Sequence, residues 1–176
     1  MMKNNQLRIL ACSLALGLSC VSFFSHAANI TYNTFTITGI LEAKTCSFVN
    51  KTQTVDLVEV GTKELINNKE YGMTPVKIEL DCPAGVSVVS LIPSGLAPES
   101  GDSTLFRNTG TAKNVGLRLY DNMKNIMKPD GLSRATFNPA LSANTYTFQA
   151  GYARTNTARV TAGSFNAVVT LSLDYS

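Results

Sequence analysis

Two stretches of regular alternation mark the ends of the predicted fold. Near the C-terminus, every odd position is small or apolar: Gly163, Phe165, Ala167, Val169, Leu171, Leu173 and Tyr175. The even positions between them are polar except for Val168. Because successive side chains of a strand point to opposite faces, this pattern predicts a long strand with one buried face.

A second alternating run lies near the N-terminus. One face carries Phe35, Ile37, Gly39 and Leu41, and the other carries mainly threonines. A glycine weakens a strand unless another group must approach it closely. We therefore interpret this run as a detachable arm whose apolar face fills a pocket in another molecule.

The sequence between these runs predicts a series of short strands. They cover residues 46–60, 76–82, 85–92, 115–120 and 145–152, with Val55, Leu57 and Val58 expected in the core of the first. Residues 93–103 are predicted as a loop, and residues 63–69 form the only helical candidate. This number of strands, with turn residues between them, predicts a single β-sandwich of immunoglobulin type.

The first 27 residues have the composition of a secretory signal peptide. Lys3 and Arg8 precede an apolar run over residues 9–24, and small residues end the segment at Ala27. The apolar run is shorter than the roughly 20 residues that a membrane-spanning helix requires. The sequence therefore predicts cleavage after Ala27 and no direct membrane anchor.

Removal of this segment changes the chemistry of the chain. It takes away Cys12, Cys20 and the single histidine, His26, and leaves Cys46 and Cys82. An oxidising compartment favours a disulfide between the two remaining cysteines. That bond would close a loop of about 37 residues and stabilise the fold by about 4 kcal/mol in the chain-entropy model.

Charge and composition exclude several classes of function. After cleavage, 13 basic and 12 acidic residues remain, so no basic surface for nucleic acid is expected. Without histidine, the Ser–His and Cys–His pairs of nucleophilic enzymes cannot form. Glu79 and Asp81 share a strand face with Lys77, which favours a solvated face over a catalytic carboxylate pair. We expect no enzyme, no metal site and no cofactor.

Several motifs in order resemble the type 1 fimbrial subunits of the bacterial chaperone–usher pathway. They are the Thr-rich arm with Gly39, Cys46 followed by residues 55–57 and 60–61, the strand ending in Cys82, and residues 115–119 and 148–152. The ending is the most specific part. Gly163 is fourteenth from the end and Tyr175 is penultimate, as in that family.

This resemblance implies an incomplete immunoglobulin-like β-sandwich that lacks its last strand and carries an N-terminal donor-strand extension. It divides the chain into a signal peptide (1–27), an arm (28–44) and a pilin domain (45–176). The donor strand would use Phe35, Ile37, Gly39 and Leu41. The acceptor groove, which is also the chaperone contact, would use Phe165, Ala167, Val169, Leu171, Leu173 and Tyr175.

The resemblance also implies partners and a destination. A periplasmic chaperone would fill the gap during export, and the arm of a neighbouring subunit would replace it at an outer-membrane usher. The chain would then be a shaft or adaptor subunit of a cell-surface fimbrium that supports adhesion.

The alternative is a free-standing secreted or periplasmic immunoglobulin-like binding module that completes its own sandwich. The segment between Leu41 and Cys46 is very short for the return that such closure requires. A self-completed module would be a soluble monomer when it is expressed alone.

Overall fold

The computed structural model describes residues 35–40, 45–67 and 69–175. The chain divides into two units between Ile40 and Leu41, and each is described by itself. The predicted signal peptide and the predicted arm residue Leu41 lie outside the described residues.

The described part of the first unit is residues 35–40, which have no regular secondary structure. Phe35, Ile37 and Ile40 are all exposed there. The donor-strand assignment of this segment stays a prediction.

The second unit consists almost entirely of strands. They are β1 (Ser47–Phe48), β2 (Glu70–Asp81), β3 (Val89–Ser94), β4 (Phe106–Arg107), β5 (Val115–Tyr120), β6 (Ile126–Met127), β7 (Ala135–Phe137), β8 (Thr145–Arg154) and β9 (Thr170–Tyr175), with one short helix, α1 (Thr62–Asn67). The helix predicted over residues 63–69 is therefore confirmed, and the loop predicted over 93–103 begins only after β3.

The strands form two sheets. The larger has the order β1-β2-β8-β5-β4, with β6 paired to β5, and the smaller has the order β7-β3-β9. The core between them contains Ile78 from β2, Leu91 from β3, Leu117 from β5 and Phe148 from β8. The predicted immunoglobulin-type sandwich is confirmed, because apolar faces with a two-residue period can be buried only against each other.

The predicted strand over residues 46–60 is largely wrong. Only β1 is a strand, and the residues from 50 to 60 have no regular structure. Val55 and Val58 are exposed rather than in the core, whereas Leu57 packs against the core. The segment passes beside β2, where Gln53 Nε2 donates to Lys77 O at 3.3 Å, but it forms no ladder with that strand.

The predicted final strand is shorter than its alternation suggests. The ladder covers only β9, although the odd residues from Phe165 onward are more buried than their even neighbours. Residues 164–166 instead bond to the 108–112 segment, as when Thr109 N donates to Asn166 O at 2.7 Å. The face of this stretch is as predicted, but its pairing is irregular.

The predicted disulfide between Cys46 and Cys82 is present. It joins the residue before β1 to the residue after β2, and the two strands pair at Ser47 and Asp81. The bond therefore holds the first residues of the sandwich to its second strand.

A buried arginine stabilises the outer face of the larger sheet. Arg118 on β5 is 1% exposed, and its Nε lies 2.9 Å from Glu70 Oε1. Its Nη2 lies 2.8 Å from Asp102 Oδ2, and its Nη1 donates to Thr104 Oγ1 at 2.6 Å. Tyr120 completes this cluster by donating its hydroxyl to Glu70 Oε2 at 2.6 Å. The sequence predicts one buried and one exposed face for β5, but both of its faces are buried.

The cluster keeps the Asp102 carboxylate ionised. Burial by itself raises the pKa of Asp102, but hydrogen bonds from Thr104 and the charge of Arg118 together lower it below 3.8. Burial and the hydrogen bond to Glu70 raise the pKa of Tyr120, so its hydroxyl remains a donor. Arg118 therefore connects the start of β2 to the loop before β4.

We expect Arg118→Met to lower the free energy of unfolding by about 2–4 kcal/mol, because Glu70 and Asp102 would lose their partner. Urea denaturation followed by circular dichroism measures this loss. Arg107→Met is the matched control, because Arg107 pairs at 3.0 Å with Glu99, which is 83% exposed. That substitution should cost less than about 1 kcal/mol. Equal losses in the two variants would contradict a special role for the buried cluster.

Candidate functional site

The last strand lies at an open edge of the smaller sheet. Among the described strands, β9 pairs only with β3, in a register from Val89–Tyr175 to Ser94–Thr170. The edge of β9 that faces away from β3 therefore presents its backbone groups without a neighbouring strand. Such an edge is a template for pairing with another chain.

An apolar groove runs along this edge. It has a volume of about 1260 Å³. Phe165, Ala167, Val169 and Leu171 line one wall, and the inner face of the larger sheet contributes Val76, Leu117, Phe148 and Ala150. Leu117, Phe148 and Ala150 form the buried floor of the groove, and Val76 is half-buried at its side. A further strand would lie over this floor in a complete sandwich.

The second wall of the groove is the segment from residue 50 to Gly61, which has no regular structure. Leu57 packs against the core, and Val60 packs against a smaller cluster around Leu65. The sequence pattern predicts a strand here and does not indicate that the segment forms a wall of the groove. The periodic apolar residues were the available signal, but they do not show which neighbour is absent.

An aromatic pair lies at one end of the groove. The rings of Tyr152 and Phe165 meet edge to face with centroids 4.8 Å apart. Both pack against a cluster formed by Leu65, Val115 and Val160. Burial, and then the charge of Glu59, raise the pKa of Tyr152. This end is therefore mainly apolar, which suits an aliphatic or aromatic side chain, and Glu59 supplies a negative charge near Tyr152.

Gly163 lies where the chain enters the groove wall. A Cβ at this position would lie 2.5 Å from Ala112 N and 2.6 Å from Thr111 Oγ1. Any side chain would push the two segments apart, so this close approach requires glycine. The close packing against Thr111 and Ala112 therefore explains why a glycine stands at this position, fourteenth from the end.

The predicted acceptor residues do not all lie in one place. Phe165, Ala167, Val169 and Leu171 line the groove. Leu173 packs against the main core, and Tyr175 is 39% exposed at the end of β9. Of the predicted donor residues, Phe35 and Ile37 are exposed in the first unit.

The strand carboxylates considered for catalysis lie on a solvated face. Glu79 Oε1 is 2.9 Å from Lys77 Nζ, and both side chains are largely exposed. Within the described ranges, no group of three or more His, Cys, Asp or Glu residues could hold a metal ion. In the same part of the chain, no helix has the length and apolarity needed to span a bilayer.

The open sandwich and its groove together define the class of protein: an immunoglobulin-like pilin domain with an unpaired edge. The family comparison agrees with this class. The family model described as "Fimbrial protein" matches residues 34–176. The chain therefore belongs to the fimbrial protein family and is a pilus subunit.

Similar proteins carry fimbrial names. The chain is 28% identical to Protein FimG of Escherichia coli K12 over 170 residues, which cover 96% of this chain and 95% of FimG. It is 31% identical to the fimbrial-like protein SfmA of the same strain over 181 residues, which cover 97% and 99% of the two chains. These matches span nearly the full length of each protein.

Solved structures show the same fold. The P pilus rod subunit PapA matches with a TM-score of 0.59 at 21% identity, over 82% of this chain and all of PapA. The P pilus adaptor subunit PapF matches with a TM-score of 0.52 at 18% identity, over 74% and 95% of the two chains.

Proposed function

We propose that this chain is a shaft or adaptor subunit that polymerises by exchanging strands with its neighbours. In this proposal the groove beside β9 accepts an extended segment from another protein. The arm of residues 28–44 is in turn donated to the groove of the next subunit. Because donor and acceptor surfaces differ, assembly is head-to-tail and produces a fibre.

The observation that carries the proposal is the open apolar groove beside an unpaired strand edge. Its wall presents Phe165, Ala167, Val169 and Leu171, one side chain at every second position. A strand laid along this edge would present its own side chains at the same two-residue spacing. Backbone hydrogen bonds would supply affinity, and side-chain pockets would supply selectivity.

The arm has the pattern that such a groove requires. Phe35, Ile37 and Leu41 share one face, and each contributes roughly 1.5–3 kcal/mol when it is fully buried. Gly39 on the same face would meet a point where the acceptor leaves no room for a side chain. The threonines on the opposite face would remain in solvent.

A periplasmic chaperone fits the same groove before assembly. An exposed apolar groove beside an open strand edge promotes aggregation, so a protein that lends a strand during export would protect it. An outer-membrane usher would then catalyse the exchange. This route passes through the periplasm and ends in a fimbrium on the cell surface, where it supports adhesion.

A structural role without catalysis is part of the proposal. After the predicted cleavage the chain has no histidine, and Glu79 is paired with Lys77 in solvent. The groove itself is lined mainly by aliphatic and aromatic side chains. These apolar groups suit the binding of a strand, and the ionisable residues Lys51, Asp56 and Glu59 belong to the wall without regular structure.

Periplasmic expression with and without a fimbrial chaperone tests the proposal. We expect the chain to be recovered as a one-to-one complex with the chaperone, and to aggregate or be degraded without it. Size-exclusion chromatography with multi-angle scattering measures both states. A stable, soluble monomer in the absence of a chaperone would instead support a module that completes its own sandwich.

A further inference from the structure

We propose that the end of the pilin domain where the arm is attached carries a second contact surface for the subunit that receives the arm. The inference rests on the proposed strand exchange. It adds a contact outside the groove, made by exposed apolar side chains on two loops. We call this the arm-end surface and define it by Leu141 and Met123.

The first loop lies beside the point of attachment. The arm enters the domain at Cys46, which is bonded to Cys82 at the end of β2. One residue before that end, Leu80 N donates to Asn144 O at 2.8 Å. The loop of residues 138–144, which carries Leu141, therefore lies at the same end of the sandwich as Cys46.

The second loop lies at this end as well. Tyr146 stands opposite Ile78 in the ladder between β8 and β2. Its hydroxyl donates to Asn122 Oδ1 at 2.8 Å, in the hairpin between β5 and β6. Met123, the next residue of that hairpin, therefore lies toward the same end of the sandwich as the first loop.

Both side chains project into solvent. Leu141 is 87% exposed and Met123 is 68% exposed. A single exposed apolar residue is ordinary on a protein surface. Two at the end of the sandwich where the chain must meet its neighbour favour a contact there.

The first loop is held in a defined shape. Ala143 and Asn144 have positive φ angles of 51° and 58°, a conformation that alanine rarely adopts. The hydrogen bond from Asn144 N to Pro139 O at 2.7 Å supports it, and Asn138 Oδ1 accepts from Ala140 N at 3.0 Å. A preorganised loop loses little conformational entropy when Leu141 is buried by a partner.

The short connection between the arm and Cys46 determines which subunit lies against the arm-end surface. Only five residue steps separate Leu41, the last predicted donor residue, from Cys46. Even fully extended, they span at most about 18 Å. The groove that holds Leu41 must therefore lie within that distance of Cys46, which brings the receiving subunit against the arm-end surface.

Site-specific photocross-linking in assembled fimbriae tests this inference. A photoreactive residue at position 35 marks the subunit that receives the arm. The same residue at position 141 should capture that same subunit, identified by mass spectrometry. Position 132 is the matched control, because Leu132 is also 78% exposed. Leu132 lies two residues after Asp130, which forms an isolated β-bridge with Ser94 at the opposite end of β3. A photoreactive residue at position 132 should therefore capture at least tenfold less of the receiving subunit.

The outcomes separate the inference from the proposed function. If position 35 captures a subunit and position 141 fails to capture the same one, the arm-end contact is wrong and strand donation stands. If fimbriae assemble and position 35 captures no subunit, strand donation itself is wrong and the inference falls with it.

A substitution gives a second measurement. Leu141→Glu should lower the yield of the cross-link from position 123 at least threefold, because a charge would enter the contact. Leu132→Glu should leave that yield unchanged. Equal yields in both variants would overturn the inference, even if each variant assembles normally.

Discussion

Deleting residues 28–41 should leave the complex with the periplasmic chaperone intact and abolish fibre assembly. The reason is that, in the proposed mechanism, the groove of the pilin domain accepts the chaperone's strand, whereas the deleted arm only donates. Affinity purification through the chaperone measures the first property. Electron microscopy of surface fimbriae, or exchange against a second purified subunit, measures the second.

Single substitutions in the arm should separate its two kinds of contact. Phe35→Asp should slow exchange by about 100-fold, the equivalent of roughly 3 kcal/mol of lost apolar burial. Gly39→Leu should block exchange for a different reason, since a side chain would enter a place that only glycine fits. Thr36→Asp is the matched control and should have little effect, because Thr36 lies on the opposite, polar face.

Two outcomes would refute the donor assignment. One is normal fibre assembly by the chain without residues 28–41. The other is loss of the chaperone complex in that same variant, which would mean that the arm is part of the domain's own fold.

Introducing a charge into the groove wall should abolish recovery of the chaperone complex. Val169 and Leu171 line the groove, and an aspartate at either position would be buried against the incoming apolar strand. Burial of an unpaired charge costs several kcal/mol. We therefore expect the yield of complex to fall at least tenfold for Val169→Asp or Leu171→Asp, measured by co-purification from the periplasm.

The control for the groove lies on the same strand. Ser172 is exposed on the outer face of β9, directly after Leu171. Ser172→Asp introduces the same charge one residue away and should leave the yield unchanged. If all three aspartate variants co-purified normally, the odd residues would not be the face that contacts the chaperone.

The sequence indicated much of the fold because period-two alternation directly reports which face of a strand is buried. Val76, Ile78 and Leu80 alternate with exposed polar residues in β2 as predicted. In β8, Tyr146, Phe148 and Ala150 are buried between half-buried polar residues, but the predicted alternation stops there, since Gly151 is buried and Tyr152 is half-buried. The disulfide followed from the two cysteines that remain after the predicted removal of the signal peptide. The identity of the family followed from several such motifs in order, together with the spacing of Gly163 and Tyr175 from the end.

The tertiary structure decided what alternation leaves open, namely which strand pairs with which. Residues 50–60 have the apolar content of a strand and yet form a wall without a ladder, although they pass beside β2. Residues 164–169 show the predicted buried face without a ladder, because residues 164–166 bond to the irregular 108–112 segment instead of to a strand. Leu173 and Tyr175 continue the pattern of Leu171, but the groove ends before it reaches them.

Long-range charge pairing was likewise invisible in the sequence. Arg118 reads as the polar position of an alternating strand, but Glu70 and Asp102 meet it from segments 48 and 16 residues away. A burial pattern is a local property of the chain and can be read from it. A partner across the fold, or an absent one, is decided only when distant segments come together.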